Sequence, residues 1–179
     1  MVDPITIRRA GFRAVFVFAC FVVTFFKLLP LGTEPTRIPA PDLLYVVTAA
    51  VVLRRPAYAP APLIVLVLLI TDIMFLRPIG LWPAIALVGF EFIRRKAYGQ
   101  TELQLPFELT LVPVVFGVMI LANALVYAIL GIPHPSAATT FLHVVFTAMV
   151  YPFAILLVEY VLRIRRPRPG DLEAEGDTL

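Results

Sequence analysis

Charge is scarce in this chain. Asp, Glu, Lys and Arg together make up 15% of its 179 residues, against about 25% in a typical soluble domain. Hydrophobic residues make up 60% and the mean hydropathy is +0.93. That leaves too little polar surface to cover a water-soluble globule, so the chain reads as an integral membrane protein with the bilayer as its solvent. Cysteine is nearly absent, and the lone Cys20 excludes an internal disulfide. The only two histidines, His134 and His143, have no neighbouring cysteines or carboxylates, which makes a poor metal site. Period-two alternation is missing, which argues against a transmembrane barrel. There is no G-x-S-x-G, no H-E-x-x-H, no Walker-type loop and no Cys/His ligand set. The expectation is a protein that is not an enzyme and has no cofactor. The net charge of +3 does not point to nucleic acid, because the basic residues lie in short clusters between apolar runs.

What is present is a series of six apolar runs, at about 14–31, 40–53, 60–76, 80–93, 105–130 and 139–162. Segments of this kind satisfy their own backbone hydrogen bonds in lipid only as helices, so the fold class is an all-α membrane protein with six transmembrane helices. Residues 1–166 form the membrane domain. The tail 167–179, with Asp171, Glu173, Glu175 and Asp177, is expected to be polar, cytoplasmic and disordered. Arg8 and Arg9 precede a long apolar stretch with no A-x-A-like cleavage site after it, which reads as an uncleaved first helix.

Runs two and four are short. Fourteen helical residues reach about 21 Å, whereas the hydrocarbon layer is about 30 Å thick. Charge parity bears on whether they cross. With six spans, Arg8, Arg9, Arg13, Arg54, Arg55, Arg94, Arg95, Lys96, Arg163, Arg165, Arg166 and Arg168 fall on one side, and Lys27, Arg37 and Arg77 on the other. The positive-inside rule makes the first side cytoplasmic and places both termini there. Dropping one short span inverts everything after it. Dropping both gives a four-span arrangement with a weaker version of the same bias. The six-span reading leaves every loop too small to fold as a domain.

Each polar residue in the runs has an inexpensive explanation to set beside a functional one. Glu91 precedes Arg94 and Arg95 by three and four residues, and Glu159 precedes Arg163 by four, so both read as helical ion pairs near the interface. Asp42 after Pro41, and Glu108 after Pro106, sit where a helix N-terminus favours a carboxylate. Asp72 lies deep in an apolar stretch, with Arg77 five residues on. It reads as paired with Arg77 or with another helix, as a partner contact, or as a transport group. Asn123 suits an interhelical hydrogen bond, and Trp82 suits the outer aromatic belt. Pro113 and Pro152 predict kinks in helices five and six.

The segment 41–95 carries a pattern: Pro41-Asp42-Leu43-Leu44, then Arg54-Arg55-Pro56, Asp72, Arg77-Pro78, Gly80-Leu81-Trp82 and Glu91-Phe92-Ile93-Arg94. It resembles the rod shape-determining protein MreD family, in particular its alphaproteobacterial members. Length, six spans and an arginine-capped last helix extend the likeness over most of the chain. The resemblance implies a fold similar to the substrate-binding subunits of energy-coupling-factor transporters. It implies a non-catalytic scaffold in the bacterial inner (plasma) membrane that docks MreC and supports lateral peptidoglycan synthesis. The implied partners are MreC, MreB, RodA, a class B penicillin-binding protein and membrane lipid. No catalytic residues are implied. Asp42, Arg54, Arg55, Asp72, Arg77, Trp82 and Glu91 become candidates for structural or partner contact. The rival class is a substrate-binding subunit of a vitamin-type transporter, which requires a polar pocket at the outer face.

Overall fold

The computed structural model describes residues 4–29, 39–99, 105–133 and 135–164, with side chains from 6 to 97 within these ranges and again from 105 onward. All regular structure among them is helical: α1 (Pro4–Leu28), α2 (Leu43–Arg54), α3 (Ala61–Met74), α4 (Leu81–Gly99), α5 (Leu105–Ile129) and α6 (Ala137–Leu156). A 3-10 turn, Pro56–Tyr58, links α2 to α3, and α6 runs into a π-helical turn, Leu157–Val161. The expected tail lies outside the described residues, as does His134.

Three stretches are long and apolar enough to cross a membrane: Thr6–Leu28, Leu105–Ile129 and Ala137–Val161. Their outward faces are apolar. On α5, Val114, Val118, Leu121 and Leu125 are each at least 60% exposed and recur at helical spacing. On α6, Phe141, Met149 and Phe153 do the same. Water would penalise such a surface, and hydrocarbon does not.

The elements depart from the sequence expectation in instructive ways. α1 starts ten residues early, at Pro4, and carries Arg8, Arg9 and Arg13 within its helix. α4 runs to Gly99 rather than ending at 93, because Glu91, Arg94, Arg95 and Lys96 are good helix formers on a continuing helix. A drop in hydropathy marks the edge of an apolar run, not the end of a helix. The short α2 spans about 18 Å. It is enclosed along its length: every residue from Leu44 to Arg54 is buried. α2 contacts α1, α4, α5 and α6, as expected of a helix that is apolar all round. α3 packs mainly on α4.

Helix ends are set by local chemistry. Asp42 caps α2 by accepting from the Tyr45 N–H at 3.2 Å, and Ser136 caps α6 by accepting from the Thr139 N–H at 3.3 Å. α5 ends in a Schellman motif: Ile132 N–H donates to the Tyr127 carbonyl at 2.9 Å, Gly131 N–H to Ala128, and Gly131 takes φ +66°. α3 ends the same way, with Arg77 N–H donating to the Asp72 carbonyl at 3.0 Å. Here, however, Leu76 occupies the left-handed position at φ +52°.

The core gathers around α2. Tyr45 stacks on Phe90 of α4 and lies 4.5 Å, centroid to centroid, from Phe116 of α5. Its hydroxyl donates to the Val112 carbonyl at 2.8 Å. Gly89 lets α4 approach α5: a side chain there would run into Met119. Tyr58 of the 3-10 turn stacks on Phe12 of α1 at 4.6 Å. The carbonyls of this turn are held from both sides, Ala57 by Arg13 and Ala59 by Arg94.

Candidate functional site

Polar side chains gather at the two ends of α2. At the Arg54 end they form a closed ionic cluster. Arg54 is 1% exposed and its guanidinium bonds two carboxylates from distant helices. Nη1 donates to Glu108 Oε1 at 2.9 Å and Nε donates to Glu159 Oε1 at 3.0 Å. Glu108, at 0% exposure, also accepts from the Tyr151 hydroxyl. One guanidinium thereby ties α2 to the first turn of α5 and to the π-helical turn after α6. π turns redirect side chains out of the regular helical register, and this one places Glu159 on Arg54. Arg54 and Glu108 are buried and their hydrogen bonds are made within the cluster, with only Glu159 partly exposed, so its chemistry is structural.

This geometry corrects two expectations. Glu159 does not pair with Arg163 four residues on; it reaches Arg54, 105 residues away. Glu108 is more than a helix-terminal carboxylate, because its ion pair with Arg54 joins two helices. Arg54 itself was expected with the interfacial cations, and it is buried instead. Its neighbour Arg55 is half-buried. Glu91 behaves as expected, with Arg94 at 3.7 Å and Arg95 at 3.9 Å.

At the Asp42 end the bundle opens into a cavity of about 480 Å³. Asp42 caps α2, pairs with Lys27 of α1 at 3.0 Å, and donates its own N–H to the Thr147 hydroxyl of α6. Trp82 lines the wall and meets Phe116 edge to face. It is half-buried, with its ring on the cavity wall. Asn123 and Tyr127 of α5 and Thr139, Thr140 and His143 of α6 add to the polar lining. Asn123 faces this cavity and makes no interhelical hydrogen bond among the described residues.

Asp72 and Arg77 stand at the edge of the same end. The expected ion pair is not formed. Asp72 Oδ2 accepts from the Gly80 N–H at 3.1 Å, which closes the α3–α4 turn, and Oδ1 is buried without a hydrogen-bond partner. The Arg77 guanidinium lies over the Phe75 ring, 5.4 Å from its centroid, and lines the cavity. The seven candidate residues therefore divide. Asp42, Arg77 and Trp82 meet at the cavity, with Asp72 behind the turn that carries Arg77. Arg54, Arg55 and Glu91 lie towards the other end. His143 and Arg77, two of the outer polar groups that a pocket could draw on, do line the cavity, whereas sequence reasoning missed Lys27 and Tyr127 there and Tyr151 as a cluster residue. The signal available for Lys27 was an isolated cation at the end of an apolar run. Comparison of the chain with protein-family models, with curated proteins and with solved structures gives no match.

Proposed function

We propose that this chain is a non-catalytic membrane scaffold of the MreD type, holding an MreC-like single-pass protein in a bacterial cell-elongation complex. In this reading it crosses the inner membrane six times, with both termini cytoplasmic, and α2, α3 and α4 count as spans. Its fold would then be that of the substrate-binding subunits of energy-coupling-factor transporters. The observation that carries the reading is the segment 41–95. Most of its distinctive residues fall at helix ends, where Asp42 caps α2, Arg54 closes it and Asp72 secures the α3–α4 turn; Glu91 pairs with Arg94 within α4. The continuous apolar faces of α5 and α6 supply surfaces for lipid and for a partner helix. In lipid, such contacts come from close packing and hydrogen bonds between helices.

The test is depletion in a rod-shaped host, together with affinity capture in mild detergent. Rounded cells and co-purification of an MreC-like protein are the expected outcomes. Normal rods on depletion would defeat the proposal. A second reading, a substrate-binding subunit of a vitamin-type transporter, draws on the cavity at the Asp42 end. Uptake of a labelled vitamin that requires this chain, in cells that keep their shape, would establish it instead.

A further inference from the structure

We infer that the cavity at the Asp42 end is a binding site for a small organic anion, one carboxylate or phosphate group carried on an apolar or flat body. The inference concerns binding alone and stands whichever reading of the function holds. Its volume of about 480 Å³ lies within the roughly 300–1,000 Å³ of small-molecule pockets. The lining is mixed in the way such pockets are, with aromatic walls and a few convergent polar groups.

The charges on the lining decide the ligand's sign. Lys27 and Asp42 are already paired with each other at 3.0 Å. Arg77 is different: its guanidinium makes no ion pair or hydrogen bond among the described residues, and its contact is the Phe75 ring. Asp72 lies nearby, but its Oδ2 is occupied by Gly80 and Arg77 does not come within bonding distance. A planar guanidinium with an open donor edge is suited to bidentate recognition of a carboxylate or phosphate. The apolar or flat body follows from Trp82, which offers a flat apolar wall, while Asn123 and His143 add polar groups to the lining. α2, α4 and α6 begin at this end while α1, α3 and α5 finish there, so the helix dipoles largely offset one another and the sign rests on Arg77.

Two sources share this chemistry: the headgroup of an anionic lipid, and a soluble organic anion. The test uses the full chain purified in maltoside detergent. Native mass spectrometry compares retention of dioleoyl phosphatidylglycerol with dioleoyl phosphatidylcholine, and thermal unfolding is followed in parallel with sodium benzoate and with inorganic phosphate. The expected result is anion binding that falls about tenfold or more in Arg77→Gln, the loss of one charge-assisted hydrogen-bonding group, and by less in Arg77→Lys, which keeps the charge but not the planar fork. Arg77 is exposed, so the unliganded variants should unfold at the wild-type temperature. Arg77-dependent preference for phosphatidylglycerol identifies a lipid, and Arg77-dependent protection by benzoate identifies a soluble anion. Either supports the site. Retention and protection that are the same in wild type and Arg77→Gln, or no binding of any of the four probes, would overturn it.

Discussion

At the scale of single residues, the most consequential feature is a guanidinium buried in an apolar bundle. Arg54 is tolerable there because Glu108 and Glu159 meet it at 2.9 and 3.0 Å. Removing one member strands the other, and that costs about 3–5 kcal/mol in buried pairs. Glu108→Ala should therefore lower membrane abundance and thermal stability sharply. Glu108→Gln, which keeps an acceptor for Arg54 and Tyr151, should be milder. The double variant Arg54→Met/Glu108→Leu should recover part of the loss, because it removes both charges and leaves Glu159, which is one-third exposed, free to turn outward. Failure of the double variant to improve on Glu108→Ala would show that the cluster is not acting as a pair. Asp72 gives a smaller, separate effect. Its bond to the Gly80 N–H can be made by an amide oxygen, so Asp72→Asn should be well tolerated, while Asp72→Ala should lose about 1–3 kcal/mol in thermal unfolding.

At the scale of elements, the ends of α3 and α5 form a natural comparison. Both close with the same pattern of hydrogen bonds, but one uses Gly131 and the other Leu76 in the left-handed conformation. That conformation costs a residue with a side chain roughly 1–2 kcal/mol, and glycine escapes the cost while losing more chain entropy on folding. Leu76→Gly should leave stability unchanged or raise it by up to about 1 kcal/mol; Leu76 is 94% exposed, so no packing is lost. Gly131→Leu should lower it by about 1 kcal/mol. Thermal unfolding in one detergent measures both.

The same elements show what the sequence made legible. Six helices and the capping roles of Asp42 and the Glu91 pair follow from periodicity and near neighbours, and these are local. The partners of Arg54 are 54 and 105 residues away, and no spacing rule on one helix reaches that far. Glu159 was assigned to Arg163 because i,i+4 is the commonest helical pairing. The π turn removes that register and sends the carboxylate inward. The shape of the cavity was equally hidden, because its wall is assembled from α1, α4, α5 and α6 with Asp42 ahead of α2 and Arg77 after α3, residues far apart in the chain.

At the scale of the whole molecule, the open matter is how the bundle lies in the bilayer. α2 is enclosed by four neighbours, so its 12 residues need not match the thickness of the hydrocarbon. A buried helix meets protein, not lipid, along its length, and its ends can sit below the interface. That removes the length objection to six spans. The charge distribution then supplies the direction. Arg8, Arg9, Arg13, Arg55, Arg94, Arg95 and Lys96 lie at the end of the bundle marked by Arg54, while Lys27 and Arg77 lie at the Asp42 end. If the chain crosses six times, as proposed, the positive-inside rule would put the Arg54 end in the cytoplasm and turn the cavity outward. A fluorescent reporter that matures only in the cytoplasm should light up when fused after Arg55, after Tyr98 or at the C-terminus. A periplasmic phosphatase should be active when placed in the 33–39 loop or near Pro135. Phosphatase activity after Arg55 would reject the six-span arrangement, since α2 would then fail to cross. Activity of the phosphatase near Pro135 with fluorescence after Arg55 and after Tyr98 would place the cavity on the outer face, where an anionic ligand could enter without crossing the membrane.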